Sequence, residues 1–139
     1  MIEKIVSNGK LIAIIIRHLY IEDIDDIKFV TEKENSLQLG ILNHRKNYII
    51  KPHIHCNSQK IINDVQEMLH VEYGKVQVDY YDNNGNRINS SILLIGDTIL
   101  LISGGHGLRI LEDTVIIEVK QGYYISTEED KIHFEAKGD

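Results

Sequence analysis

The chain has 139 residues and a mass of 16.0 kDa, which suits one domain with one hydrophobic core and excludes a large multidomain enzyme. Acidic residues outnumber basic ones by 21 to 15, the net charge is −6, and no stretch is rich in lysine or arginine. We therefore expect no nucleic-acid partner. The only cysteine, Cys56, excludes an intrachain disulfide, and the N-terminus shows no secretory signal, so the expected location is the cytoplasm.

Side chains branched at Cβ dominate the composition. Isoleucine occurs 25 times, and isoleucine, valine and threonine together account for 37 of the 139 residues, whereas alanine occurs only twice. Such stiff side chains fit a pleated sheet better than a helix. The composition therefore predicts an all-β domain with at most one or two short helical turns.

The N-terminal part of the chain predicts a β-hairpin. Asn8 and Gly9 separate two apolar runs, Ile2 to Val6 and Leu11 to His18, and Asn-Gly is the strongest short hairpin signal. Both alternating faces of Leu11 to Ile16 are apolar, so one face needs cover from a second sheet or from another subunit. We therefore expect a homodimer. The same run is far shorter than the roughly 20 residues of a membrane-spanning helix, so no membrane partner is expected.

The next segments predict a short helix and two strands. Tyr20 to Lys28 carries isoleucines at three-residue spacing among acidic residues, which indicates one or two helical turns. Ser36 to Asn43 and Tyr48 to His55 have the composition of strands. Pro52 lies in the second strand and cannot donate a ladder hydrogen bond, so that strand is expected at an edge or a bulge.

The second half of the chain reads as a series of short strands separated by turn residues. Alternation and β-branched content mark six of them, and their regular spacing is typical of a β-sandwich or barrel. The predicted strands are Glu67 to Tyr73, Lys75 to Asp82, Ile88 to Ile95, Thr98 to Ile102, Leu108 to Leu111 and Val115 to Lys120.

Four side chains form a candidate metal site. His53 and His55 are two residues apart in a predicted strand, so both imidazoles face the same side. Glu67 shares a face with apolar neighbours of its strand, and a buried carboxylate needs a proton, a cation or a metal. His106 lies in a predicted glycine-rich turn. Three imidazoles and one carboxylate suit a divalent transition metal: Fe, Mn, Ni, Zn or Co.

These residues resemble the two sequence motifs of the cupin superfamily. The first motif is G-x5-H-x-H-x(3,4)-E-x6-G, and here His53 and His55 supply the H-x-H while Glu67 and Gly74 supply E-x6-G. The second, G-x5-P-x-G-x2-H-x3-N, is similar to the stretch from Gly96 to Ile110, with His106 as its histidine. The resemblance covers about residues 36–120. It implies a single jelly-roll barrel domain over 1–139, with His53, His55, Glu67 and His106 facing the lumen.

The chain departs from these motifs at several positions. Asn47 stands at the leading glycine of the first motif, and asparagine also tolerates a left-handed backbone. Eleven residues, Cys56 to Gln66, separate His55 from Glu67 where the motif has three or four, which predicts an inserted loop or short helix. Ser103 replaces the proline of the second motif and Ile110 its final asparagine. Cys56 follows His55 and is predicted to be a small buried residue and no ligand.

The last predicted strand adds candidate proton carriers. If its second face lines the lumen, Glu118 or Lys120 supplies an acid, a base or an anion contact. Tyr123 follows and is the second candidate beside Lys120. The blocks Glu118 to Tyr123 and Gly104 to Gly107 resemble a subgroup of small cupins associated with bacterial surface-sugar gene clusters, which implies carbohydrate and polysaccharide biosynthesis.

These observations lead to one leading hypothesis and two alternatives. The leading one is a metal-binding cupin that isomerises or epimerises a small polar molecule, such as a sugar or sugar-nucleotide derivative, with the metal stabilising a developing oxyanion. The second is a binding or sensing module that captures a ligand without chemistry, since a fold does not decide function. The third is a metal-dependent dioxygenase.

Overall fold

The computed structural model describes residues 1–20, 26–59, 61–122, 132–135 and 137. Within these residues the fold is all-β, as predicted, with one three-residue 3₁₀ turn at His18–Tyr20. The ten strands are β1 (Ile2–Ser7), β2 (Lys10–Ile16), β3 (Asp26–Phe29), β4 (Gly40–Asn43), β5 (Glu67–Tyr73), β6 (Lys75–Tyr81), β7 (Arg87–Leu94), β8 (Thr98–Leu101), β9 (Gly105–Ile110) and β10 (Val115–Lys120).

The strands form three antiparallel sheets. A five-stranded sheet has the order β1-β2-β8-β5-β10, a three-stranded sheet has the order β7-β6-β9, and β3 pairs with β4. Neighbours such as β2 and β8 are far apart in sequence, as expected of a sandwich or barrel. The described strands pair as these separate sheets, and no closed barrel is found among them.

The predicted N-terminal hairpin is confirmed. Ser7 pairs with Lys10 across the turn, and both central residues have positive φ, 50° at Asn8 and 76° at Gly9. This is the turn geometry that matches the twist of two paired strands, and asparagine and glycine are the residues that adopt it most readily. The local sequence therefore determines the position of this turn.

The core has two parts, one on each face of the five-stranded sheet. The first part joins that sheet to the three-stranded sheet and includes Ile15, Leu69, Val78, Leu93 and Ile99. The second lies on the opposite face and comprises Ile14, Ile16, Val30, Ile41, Leu100 and Ile102. Both faces of β2 are thus buried within one chain, and the second face does not need another subunit to cover it.

Two of the predicted elements are wrong. Asp26 to Lys28 was expected at the end of a helical segment but belongs to strand β3, while residues 21–25 lie outside the described part of the chain. The predicted strand Tyr48 to His55 has no regular structure, and all its side chains are exposed. β-branched composition favours a strand only where a neighbouring strand and a buried face are present. Pro52 also removes one of the donors that such pairing needs.

The six predicted strands of the second half are all present, and their bounds shift by up to three residues. The largest shift is in β9, which begins at Gly105, whereas the prediction began at Leu108. His106 therefore lies in a strand and not in a turn. The reason is long-range pairing, because Gly105 is opposite Tyr81 and His106 is opposite Tyr80 of β6.

Candidate functional site

Glu67 and His106 form a polar contact that bridges the two large sheets. Oε2 of Glu67 lies 3.1 Å from Nε2 of His106, and their side chains are 10% and 30% exposed. Glu67 begins β5 of the five-stranded sheet, and His106 is in β9 of the three-stranded sheet. Two of the four predicted metal ligands thus come together from positions 39 residues apart in sequence.

The inward direction of Glu67 follows from strand alternation. Glu67, Leu69 and Val71 are buried, while Met68 and His70 on the other face are half-buried. Alternate residues of a strand point to the same face, so the carboxylate points into the space that Leu69 and Val71 fill. The sequence predicted this face correctly, because the apolar residues of β5 identify it.

The direction of His106 follows from its pairing with β6. His106 is directly opposite Tyr80, which is fully buried, and opposite residues of an antiparallel pair share a face. Gly104 allows the chain to enter β9 closely, with φ of +77°, and a Cβ there would lie 2.5 Å from the carbonyl oxygen of Tyr81. Glycine at this position is therefore needed to bring His106 into the strand.

Lys120 lies beside Glu67 in the five-stranded sheet. The two residues are directly opposite each other in the β10–β5 pair, so their side chains are on the same face. Lys120 and Ile116 are half-buried there, and Ile116 packs against the core. The inner face of β10 is thus the one that carries Lys120. Tyr123, the second predicted proton carrier, lies outside the described residues.

His53 and His55 are in a different place. Both are exposed in an irregular segment, their ring centroids are 5.1 Å apart in an edge-to-face arrangement, and Nδ1 of His53 lies 2.9 Å from the carbonyl oxygen of Lys51. Cys56 is also exposed, so its predicted burial is wrong. The prediction assumed a strand, and without one the alternation that buries every second residue is lost.

The described residues fit part of a metal site. An imidazole nitrogen and a carboxylate oxygen that bind one ion at about 2.1 Å each stand roughly 3 Å apart, and Glu67 and His106 have that separation. The same distance also suits a hydrogen bond. In the described part of the chain, no group of three or more histidine, cysteine, aspartate or glutamate residues lies close enough together to hold an ion.

An open recess of about 550 Å³ adjoins His106. It is lined by Tyr81, Gly104, Gly105, His106, Gly107, Leu108, Ile132, His133 and Phe134. Tyr81 and Phe134 meet edge to face with ring centroids 5.3 Å apart. Tyr80 precedes Tyr81 in β6 and lies on the interior side of that strand, and burial raises the pKa of its phenol. The sequence analysis did not identify Tyr81 and Phe134 as lining residues. The alternation of β6 is the one signal that places Tyr80 and Tyr81 on opposite faces of the strand.

No family model matches this chain, and no curated protein or solved structure matches it either. Helices long and apolar enough to cross a membrane are absent from the described residues.

Proposed function

We propose that this chain binds a small polar molecule against Glu67 and His106 and moves a proton on it, as an isomerase or epimerase does. The observation that carries the proposal is the 3.1 Å contact between Glu67 and His106 at the inner surfaces of two sheets. A carboxylate that orients an imidazole is a recurring arrangement in general acid–base catalysis. In this proposal the domain is a cupin-type jelly roll.

The proposed chemistry is proton transfer beside a carbonyl group. His106, held by Glu67, removes a proton from a carbon next to the carbonyl, and the electron pair moves onto the carbonyl oxygen. Lys120 lies on the same face as Glu67, so its ammonium stabilises the negative oxygen. Return of this proton to the neighbouring carbon, with transfer of the hydroxyl proton from one oxygen to the other, completes an isomerisation. Protonation of the first carbon on its other face by water completes an epimerisation, and His106 then gives its proton to the solvent. The step needs no oxidant.

The recess beside His106 supports a ligand with both polar groups and an apolar ring face. Tyr81 and Phe134 lie on the face of the three-stranded sheet opposite to the His106 side chain, where they offer aromatic surface to the part of the ligand that extends away from Glu67. The glycines of β9 leave backbone accessible between the two faces. A sugar or sugar-nucleotide derivative has this mixture of hydroxyl groups and C–H faces. We therefore propose that this class of compound is the ligand.

A metal-dependent form of the same reaction is the second candidate. The separation between Glu67 and His106 favours it, because the distance suits two ligands of one ion. A bound ion would polarise the substrate carbonyl. In this candidate Glu67 and His106 would supply two ligands of the ion, because His53 and His55 do not lie beside them in the structure. Elemental analysis of the purified protein tests it: the wild type binds metal, whereas Glu67→Gln and His106→Ala each lower the metal content. Equal metal content in all three proteins contradicts it.

The main proposal is tested by binding and by exchange of substrate hydrogen with solvent. A panel of sugar and sugar-nucleotide derivatives is screened by ligand-observed NMR, and deuterium uptake from D₂O is followed for each compound that binds. We expect Glu67→Gln and His106→Asn to lower the rate of deuterium uptake at least about 100-fold. The matched controls are Glu72→Gln and His70→Asn, which lie in β5 outside the pair.

Two outcomes would contradict the proposal. If Glu67→Gln and His106→Asn exchange deuterium as fast as the controls, the pair does no chemistry. If compounds bind through this pair without any exchange, the protein is the alternative, a binding or sensing module.

A further inference from the structure

Strand β10 forms one edge of the five-stranded sheet. Within the described residues it pairs only with β5. Its outward row contains Ile117 and Val119, both apolar and about half exposed. Monomeric proteins usually protect such an edge with proline, a bulge or an outward charge, because an unprotected edge pairs with another chain. In β10 the pairing irregularity is confined to the start of the strand, between Val115 and Ile116, and Ile116 to Lys120 pairs regularly with β5. This regular stretch has no proline and no outward charge. Its two inward charges, Glu118 and Lys120, are of opposite sign, so a suitable added strand can match them.

The backbone direction of β10 shows which residues would take part. The N–H of Gln121 donates to the carbonyl oxygen of Gln66, so this residue faces the β5 side. Backbone groups alternate in direction along a strand. Ile117 and Val119 therefore also direct their backbone groups toward β5, whereas Glu118 and Lys120 direct theirs toward the outer edge. A chain added at this edge would bond to Glu118 and Lys120.

We propose that a second copy of this chain pairs antiparallel with β10 about a two-fold axis at Val119. In this register Val119 is opposite its own copy, and Glu118 of each copy is opposite Lys120 of the other. Two opposite-charge pairs then form on the inner face, and each contributes to pairing. The result is a continuous ten-stranded sheet across the two copies.

Charge selects this register over its neighbours. An axis at Glu118 would place two carboxylates directly opposite each other, which disfavours pairing. An axis at Ile117 would place Glu118 opposite Ile116. Glu118 and Lys120 would then each have no residue of opposite charge facing them across the new interface. Only the axis at Val119 matches each Glu118 with a Lys120.

The dimer would also extend the candidate site. Glu67, Lys120 and Glu118 of the partner subunit would stand in one row across three neighbouring strands, all on the inner face. The partner's Glu118 would then hold the ammonium of Lys120 in place. This last consequence rests on the proposed function, whereas the assembly itself does not and is measured separately.

Sedimentation and charge reversal test the assembly. The wild type sediments as a dimer, at twice the chain mass of 16.0 kDa. Glu118→Lys raises the dimer dissociation constant about tenfold or more, because each attractive pair becomes repulsive. Adding Lys120→Glu to that variant exchanges the charges and restores the dimer. A monomeric wild type, or Glu118→Lys with the dissociation constant of the wild type, would overturn the proposal.

Cysteine cross-linking tests the register. In a Cys56→Ser background, Val119→Cys forms a covalent dimer under mild oxidation, because the two Cβ atoms face each other at the axis. Val6→Cys, on the opposite edge strand β1 and equally exposed, is the matched control and stays monomeric on denaturing gels. Cross-linking through Val6→Cys as readily as through Val119→Cys would overturn the β10 interface. Faster cross-linking through Ile117→Cys would overturn the register.

Discussion

At the scale of single residues, Gly74 has the least space of the positive-φ glycines. Its φ is +88°, and a Cβ would clash with the carbonyl oxygen of Asp113 and with Thr114. Gly9 has a similar φ of +76° but no atom within 4 Å of the added Cβ. A comparison of substitutions at these two glycines therefore distinguishes the cost of a left-handed backbone from the cost of a steric clash.

Replacement of these glycines by alanine should have unequal costs. Gly9→Ala should lower the free energy of unfolding by about 1–2 kcal/mol, the cost of a left-handed backbone. Gly74→Ala should cost at least about 2 kcal/mol more, because the clash with backbone atoms adds an overpacking penalty. Chemical denaturation measures both values. Equal costs would show that the loop of Asp113 moves away without penalty.

Asp79 is a buried carboxylate outside the candidate site. Burial raises its pKa, but the hydrogen bonds from Gln77 and Arg87, both at 2.7 Å, and the nearby charges of Arg87 and Arg109 outweigh burial and lower it below 3.8. A carboxyl group with a lowered folded-state pKa stabilises the fold above its unfolded pKa. That stabilisation is lost as the pH falls through the folded pKa.

Asp79→Asn should therefore destabilise the protein mainly near neutral pH. We expect a loss of about 2 kcal/mol at pH 7, because hydrogen bonds to a charged group are removed. The difference between variant and wild type should shrink as the pH falls below 3.8 and then through the lowered folded-state pKa, because the unfolded chain takes up the proton first and the folded chain follows. Denaturation at several pH values measures this trend, with exposed Glu72→Gln as control. A difference that stays constant down to the lowest pH would contradict the assigned role.

At the scale of elements, β2 has both faces buried by the same chain. Ile15 packs between the two large sheets, and Ile14 packs against Val30 and Ile41 on the other side. Ile14→Ala and Ile15→Ala should each lower the free energy of unfolding by about 3 kcal/mol. The exposed Val6→Ala should cost less than about 1 kcal/mol. If Ile14→Ala were as mild as Val6→Ala, the second face of β2 would not be covered within one chain.

The strands of the second half were predictable because local signals agree there. Val76 and Val78 alternate with polar residues, and turn residues such as Gly96 follow each run. Tyr48 to His55 lacks that agreement: its isoleucines favour a strand by type, yet none of the described strands pairs with this segment. Whether a partner exists depends on long-range packing, which local sequence does not contain.

The candidate site was predictable in part for the same reason. The inward direction of Glu67 follows from the residues next to it in β5, so it could be derived from the sequence. Its contact with His106 depends on the register of β9 on β6 and on how the two sheets pack. Both residues lie in the stretch that resembles cupin motifs, and the structure places their side chains 3.1 Å apart. The positions of His53 and His55 could not be derived in this way, because their segment pairs with none of the described strands and alternation does not determine which way their side chains point.

At the scale of the whole molecule, an ionic network connects the N-terminal hairpin to the turn between β7 and β8. Arg17 donates to Glu3 at 2.8 and 3.0 Å and to Oδ2 of Asp97 at 2.8 Å. Asp97 is 5% exposed and also accepts the backbone N–H groups of His18 and Leu94. The hydrogen bond to Glu3 raises the pKa of Arg17. This network joins segments about 80 residues apart in sequence.

Asp97→Ala should therefore destabilise the whole domain. The expected loss is about 3 kcal/mol, because two backbone donors and part of the Arg17 guanidinium lose a buried acceptor. Glu32→Ala, which breaks the exposed pair with Lys4, should cost less than about 1 kcal/mol. Thermal and chemical denaturation compare the two. Similar small losses would show that solvent replaces Asp97 at this position.

The open surroundings of the Asn8–Gly9 turn have a practical consequence. The two residues are exposed, and the hairpin they close is bonded along both strands. Exposed loop tips of this kind tolerate added sequence. An epitope or a small fluorescent reporter inserted between Asn8 and Gly9 would label the protein without altering the chain around Glu67 and His106.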